Sequence, residues 1–269
     1  MTTKVEFHPQ GYTDARIMLL SGTPAQVSLL EADPDLARHV VDEERRAAAA
    51  RRISVSVENL ARGPWTPVVP AVRAAFGLLI LDGLAVREAT VGDHPCAELV
   101  GPGDVIRLGG GQDPDELLPR LVEWAVLSPT RVAVLDEAFI AAAAPWPELI
   151  ACIVDRAGRR ADRLIVLQAS THLTRVDDRL LALLWYLAER WGKVTPDGVA
   201  LALKLPHRTL AGMVGARRPS VTTALGQLMA RGDVHRRADG AWVLRGNPPE
   251  RIDPIVAVPD GNGRVATAG

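Results

Sequence analysis

The chain has 269 residues, 48% hydrophobic and 23% charged, which supplies a full core and room for two modest domains and excludes a disordered or fibrous protein. Its formal net charge of −1 conceals a segregation, because between residues 201 and 245 eight Lys or Arg face two Asp. Positive charge gathered at one end suits a domain that meets a polyanion and argues against an evenly charged enzyme.

Residues 1–22 hold one short apolar patch at 17–20 and set no further expectation. From 28 to 52 the pattern is helical: Leu29, Leu30, Leu36, Val40 and Val41 alternate with charge, and 43–52 is rich in helix formers. Arg45, Arg46, Arg51 and Arg52 read as a solvated helix face. Residues 53–57 alternate like a strand until Gly63-Pro64-Trp65-Thr66-Pro67 interrupts, since proline removes a donor. Two short strands are expected at 76–81 and 84–87 around an Asp82-Gly83 turn. More follow at 97–100, 105–108, 122–127 and 131–135, with Gly101-Pro102-Gly103-Asp104 as a turn between the first two. Short strands so tightly spaced favour an antiparallel barrel or sandwich. Gly109-Gly110-Gly111 has neither the Walker nor the dinucleotide spacing, so it reads as a loop, with a short helix at 114–121.

Residues 147–172 form the longest predicted helix. Ile150, Val154, Ala157, Ala161, Leu164, Gln168 and Thr171 recur at spacings of four and three, the seam of two helices packed side by side. Ile153 and Ile165 widen it, so one flank can also cover the strand-rich domain. An amphipathic helix at 176–191 follows, with Leu180, Leu181, Leu184, Leu187, Ala188 and Trp191 on its apolar face and Gly192 stopping it. Residues 199–205 alternate around Lys204.

The stretch 206–244 reads as two short helices joined by a tight turn, then a hairpin. Ala211 is the small residue where the helices cross, Gly215 supplies positive φ in the turn, and Leu210, Val214, Val221 and Leu225 point inward. The second helix is expected to begin near Arg218-Pro219, where proline's missing N–H has no intrahelical partner to lose. Its start and outer face are left with Arg217, Arg218, Ser220, Thr222 and Thr223, and one turn further on with Gln227. These side chains suit phosphates and base edges, Arg217 and Arg218 by their forked donors and the threonines by hydroxyl and methyl. His207 and Arg208 open the first helix as a clamp for the nucleic-acid backbone. His235, Arg236 and Arg237 lie on a hairpin turned by Ala238-Asp239-Gly240, with Trp242 as its core. Residues 247–269, rich in proline, glycine and small residues, are expected to be a loose tail.

Cys96 and Cys152 stand far apart, which suggests neither a disulfide framework nor a cysteine metal site. No run reaches eighteen uncharged apolar residues, and the polar start does not resemble a secretory signal. The expectation is a cytoplasmic protein without a membrane partner, associated with the nucleoid when bound to DNA. No nucleophile–base cluster, metal set or phosphate loop points to an enzyme, and no cofactor is expected.

Residues 175–244, from RVDDRLLALLWYLAERWG through PHRTLAGMVGARRPSVTTALGQLMARGDVHRRADGAWVL, resemble the winged-helix DNA-binding domain of the Crp/Fnr superfamily of bacterial transcription regulators. FGLLILDGLAVREATVGDHPCAELVGPGDVIRL and VLSPTRVAVLD resemble that superfamily's cyclic-nucleotide-binding-like jelly roll, and 147–172 stands in the place of its dimerisation helix. The resemblance implies an α+β protein with an N-terminal antiparallel jelly roll, a long dimerisation helix and a C-terminal winged helix-turn-helix. The implied boundaries are an N-terminal helical extension at 1–52, the sensor-like domain at 53–144, the dimerisation helix at 145–174, the winged domain at 175–246 and the tail at 247–269. It also implies a homodimer that binds double-stranded DNA, recruits or blocks RNA polymerase, and answers to a small-molecule effector. In the superfamily's recognition helix, Arg218 matches the first base-reading arginine, Pro219 replaces a glutamate and Thr223 a second arginine. Ser220 keeps the phosphate-contacting hydroxyl, and Arg217 stands where serine is common. In the sensor, Arg107 and Leu108 occupy the Gly-Glu position that holds the ribose of cyclic nucleotides. Arg120-Leu121 is the nearest match to the Arg-Ser/Thr pair that holds the phosphate. Arg107 and Arg120 are thus candidate effector-pocket residues, and cyclic AMP or GMP is not the expected ligand. The cysteine cluster of the superfamily's iron–sulfur branch is missing, and no residue pattern specifies haem. The alternative is an architectural or nonspecific DNA-binding protein whose sensor-like domain is only a scaffold.

Overall fold

A computed structural model describes residues 25–67, 76–107, 118 and 120–248. The expectations for 1–22, for the triple glycine, for most of the helix at 114–121 and for the tail from 249 onward lie outside them. Strand β1 (Ala25–Ser28) leads into a single-turn helix α1 (Leu29–Ala32), a 3-10 turn (Pro34–Ala37) and helix α2 (Glu43–Arg52). The helical pattern from 28 is therefore broken, because Asp33 precedes a proline and adopts an extended φ of −143°. Asp42 caps α2, its carboxylate accepting from Arg45 N at 2.8 Å. Two of the four arginines on α2 are engaged: Arg45 with Glu148 at 2.7 Å and Arg46 with the carbonyl of Val40 at 2.7 Å.

The strands that follow are β2 (Ser54–Leu60), β3 (Gly63–Trp65), β4 (Gly77–Val91), β5 (His94–Val100), β6 (Val105–Ile106) and β7 (Leu121–Leu135). With β1 they form a seven-stranded sheet in the order β1-β2-β7-β4-β5, with β3 added to β7 and β6 to β4. Every pairing is antiparallel. Two expectations are corrected here. Asp82-Gly83 does not turn a hairpin, because both flanks pair with β7, from Gly77↔Leu135 to Thr90↔Leu121, and the dipeptide lies among register irregularities within one 15-residue strand. The hairpin lies instead at Gly92-Asp93, between β4 and β5. For the same reason 122–127 and 131–135 are one strand, β7.

The irregularity at Asp82-Gly83 has a structural consequence. Before it, Leu78 and Ile80 face the inner core with Ile106 and Val132, while Leu79 faces outward to the N-terminal helices. After it, Ala85 faces inward and Leu84 and Val86 outward. A one-residue slip exchanges the faces of a strand. Here it aims Leu84 and Val86 at the C-terminal helices.

Helices α3 (Glu137–Ala143) and α4 (Pro147–Ser170) come next, and α4 lays Leu149, Cys152 and Ile153 against the outer face of the sheet's N-terminal half. The winged domain comprises α5 (Val176–Trp191), β8 (Gly192–Thr195), β9 (Gly198–Leu201), α6 (His207–Val214), α7 (Arg218–Arg231), β10 (Val234–Arg236) and β11 (Trp242–Leu244). Its strands form a second antiparallel sheet in the order β10-β11-β9-β8, so the residue that stops α5, Gly192, also opens a hairpin that the alternation at 199–205 only partly anticipates. The fold is α+β: an antiparallel sensor-like sheet, a long helix and a winged helix-turn-helix. No helix among the described residues is long and apolar enough to cross a membrane.

Candidate nucleic-acid interface

The helix-turn-helix is built as its apolar spacing requires. Leu210, Val214, Val221 and Leu225 are buried with Leu180, Leu184 and Leu228 in one core. Gly215 ends α6 in the left-handed region at φ 60°, ψ 44°, where a side chain would be strained. Helix α7 starts at Arg218 with Pro219 in its first turn and ends at Gly232, which is also left-handed. With one flank of α7 committed to the core, Arg217, Arg218, Ser220, Thr222, Thr223 and Gln227 are all exposed on its start and opposite flank.

Local bonds hold parts of that surface in place. The hydroxyls of Thr222 and Thr223 donate to the carbonyls of Arg218 and Pro219, each at 3.2 Å. Thr222 Oγ1 also lies 3.0 Å from His207 Nδ1, so two expected contact residues from different helices form one hydrogen-bonded pair. On the wing, Arg236 lies over the Trp242 ring at 4.6 Å from its centroid, and Arg237 Nε lies 3.6 Å from the Asp239 carboxylate. Trp242 is buried, which makes it wing core rather than a stacking platform. Behind α7, the buried carboxylate of Asp177 joins Arg175 at 3.0 Å to Arg231 at 2.6 Å, tying the start of α5 to the end of α7. Hydrogen bonding from Arg175 leads the effects that hold its pKa at about 2, below the ordinary value of 3.8.

The placement of α6 could not be read from the sequence. Thr209 to Val214 are all buried, and α6 lies across the outer face of β5. A Cβ built on Gly212 would stand 2.9 Å from the Cβ of Ala97, so glycine is what lets the helix approach the strand. Leu84, Val86, Ala97 and Leu99 share a core with the winged domain. Arg208, expected to clamp the nucleic-acid backbone, donates to Glu88 of β4 at 2.7 Å while its side chain stays largely exposed. Further ion pairs line the seam: Arg160 holds Glu98 through two 2.6 Å bonds, and Arg190 reaches Asp104 at 2.8 Å and the carbonyl of Pro102 at 2.7 Å. A cavity of about 290 Å³ lies along it between β5, α4, α5 and α6, lined in part by Leu99, Leu167, Tyr186 and Met213. Burial raises the Tyr186 pKa to about 12, against the opposing charges of Arg163 and Arg190, so the phenol keeps its proton.

The expected helix–helix seam on α4 separates into two parts. Val154, Ala157, Ala161, Leu164 and Gln168 are exposed, as is Ile165, whereas Ile150 is half-buried against the sensor core. Ile153 is fully buried there. In the sensor, Arg107 and Arg120 are both exposed, and neither lines the cavity along the seam. The inner face of the sheet carries Arg87 instead, its guanidinium 5.8 Å from the centroid of Trp124, against which Trp65 packs edge-on at 5.5 Å. Arg87 Nε is buried without a hydrogen-bond partner among the described residues.

Residues 178–245 match the family of Crp-like helix-turn-helix domains. Among solved structures, a CooA mutant from Carboxydothermus hydrogenoformans superposes with a TM-score of 0.55 at 16% identity, over 71% of this chain and 84% of that one. This chain has the Crp/Fnr fold. A cyclic nucleotide-binding domain containing protein from Listeria monocytogenes gives a TM-score of 0.57 at 14% identity, over 78% and 96% of the two chains. The c-di-GMP responsive global regulator CLP of Xanthomonas campestris gives 0.51 at 19% identity, over 72% and 95%. No curated protein matches the chain in sequence. In Crp/Fnr terms, β1–β7 make the cyclic-nucleotide-binding-like sensor domain, α4 the long connecting helix, and α6 and α7 the helix-turn-helix with β10 and β11 as its wing.

Proposed function

We propose that the protein is a homodimeric transcription regulator that reads duplex DNA through α7. The observation that carries this reading is the exposed start and outer face of α7, where Arg217, Arg218, Ser220 and Thr223 stand clear of the core on a helix of the matched family. The helix N-terminus and the Ser220 hydroxyl hold a phosphate, and the two guanidinium forks reach phosphate or the O6/N7 edge of guanine. Arg236 and Arg237 on the wing meet the flanking backbone. Without the glutamate and second arginine of the common Crp/Fnr reading set, base preference falls to Arg218, Thr223 and Gln227. The α4 helices pair along Val154, Ala157, Ala161, Leu164 and Gln168, so that two reading heads face two half-sites. Binding at a promoter then recruits or blocks RNA polymerase, and an effector on the sensor side biases the spacing of the heads.

Selection of bound fragments from random duplex DNA with the purified full-length protein tests this. Enrichment of paired, two-fold related half-sites is the expected outcome, with affinity that falls steeply as salt rises. Uniform recovery of all sequences would replace the regulator with an architectural protein.

A further inference from the structure

A second, largely polar cavity of about 220 Å³ lies where α4, α5, the 3-10 turn and the Gly101–Asp104 turn meet. Five arginines line it: Arg38 from the N-terminal segment, Arg156, Arg159 and Arg163 from α4, and Arg190 from α5. Their ion pairs use only three carboxylates. Arg156 is bonded through both terminal nitrogens to Asp33, Arg38 and Arg159 share Asp155 at 2.8 Å each, and Arg163 and Arg190 share Asp104. Asp35 also lines the cavity, and counting it leaves five positive charges against four negative ones. Each guanidinium has five N–H donors, and sharing a carboxylate leaves most of those of Arg159 and Arg163 unspent among the described residues, whereas Arg190 also donates to the carbonyls of Gly101 and Pro102.

An excess of positive charge around a hollow attracts an anion, and forked donors match the geometry of a phosphoryl group. The volume falls below the roughly 300–1,000 Å³ of sites that enclose a whole small molecule, so it suits one or two phosphoryl groups with the rest of a ligand outside. We infer that this cavity binds the phosphoryl end of a small phosphorylated molecule. The site is distinct from Arg107 and Arg120, which do not line it. It also stays open in the proposed dimer. Arg156, Arg159 and Arg163 lie about half a turn around α4 from Val154, Ala157 and Ala161, since successive residues are offset by about 100°.

The position of the site gives binding a consequence. Asp104 is buried, and through Arg190 it is one of the polar ties between the sensor turn and the first helix of the winged domain. A phosphoryl group bridging Arg163 and Arg190 adds a second tie between α4 and α5 and stiffens the seat of the reading head. That last step rests on the regulator reading, whereas the binding itself does not.

Isothermal titration of the full-length protein with inorganic pyrophosphate, at constant ionic strength, reads the site directly. Saturable binding at one pyrophosphate per chain is expected, and R38Q/R159Q weakens it by about tenfold or more, the equivalent of about 1.4 kcal/mol. Both substituted side chains are partly exposed rim residues, and an unchanged thermal midpoint without pyrophosphate shows that the variant is folded. R217Q/R218Q binds pyrophosphate like the wild type while losing DNA, which separates failure of the site from failure of the regulator reading. Absence of saturable heat overturns the site, as does binding that survives in R38Q/R159Q or is lost in R217Q/R218Q.

Discussion

Two residue-level features set the chemistry of the reading head. Arg217 and Arg218 are exposed, and no ion pair ties either one back to the protein among the described residues, unlike Arg208 or Arg231. The charge reversal R217E/R218E should lower affinity for a selected site at least about a hundredfold and flatten the dependence of log K on log salt by about two phosphate contacts. Fluorescence anisotropy at several salt concentrations measures both, and an unchanged slope would move DNA binding off this face. Asp177 acts from behind the helix. Its folded pKa of about 2 lies below the ordinary value of 3.8, so its contribution to stability is fully present above about pH 4 and is lost as the pH falls through 2. D177N removes the charge that Arg175 and Arg231 both hold and should cost about 1.5–3 kcal/mol, with a smaller loss between pH 4 and 2 than in the wild type. Thermal unfolding across that range checks the sign: a variant as acid-sensitive as the parent would mean that the ion pair is inert.

At the scale of elements, what was legible in the sequence depended on whether a signal was local. The helix-turn-helix was legible because Ala211, Gly215, Pro219 and four apolar residues specify it within one short stretch. Strand β4 was not, because Asp-Gly serves a hairpin and a bulge equally well, and only pairing with β7, some forty residues later, separates the two. The contact of α6 with β5 was illegible for a stronger reason: Gly212 and Ala97 are brought together only by the docking of one domain on the other. An isolated glycine inside a helix is the one hint that a neighbour comes close. That docking also gives Arg208 a partner within the chain, since its guanidinium is held by the largely buried carboxylate of Glu88. A carboxylate on that arginine competes with DNA phosphate. E88Q removes the competitor's charge and should raise DNA affinity about three- to tenfold while steepening the salt slope by about one contact. Weaker binding by E88Q would show instead that the ion pair orients the head for DNA.

For the whole molecule, the proposed pairing along the exposed stripe of α4 and the proposed reading of DNA by the exposed face of α7 depend on one another. A single head offers a handful of phosphate and base contacts, too few for the discrimination a promoter site demands among competing sequence. Two heads on a rigid frame multiply affinity by about 10²–10⁴ without any new contact, provided their spacing matches the half-sites. The frame is available, because α4 is anchored by Leu149, Cys152 and Ile153 in the sensor core, while Val154, Ala157, Ala161 and Ile165 remain exposed on its other side. Small residues along that stripe allow close helix approach, and a buried charge there would have no partner. A161E should therefore yield a monomer in sedimentation equilibrium and lose at least about a hundredfold in affinity for a paired site. Its affinity for an isolated half-site should stay at the wild-type value, since Ala161 lies far along the chain from α7. An A161E protein that remains dimeric would place the interface on another surface, and one that loses half-site and paired-site binding alike would show that α4 supports the fold of the head rather than the pairing of two.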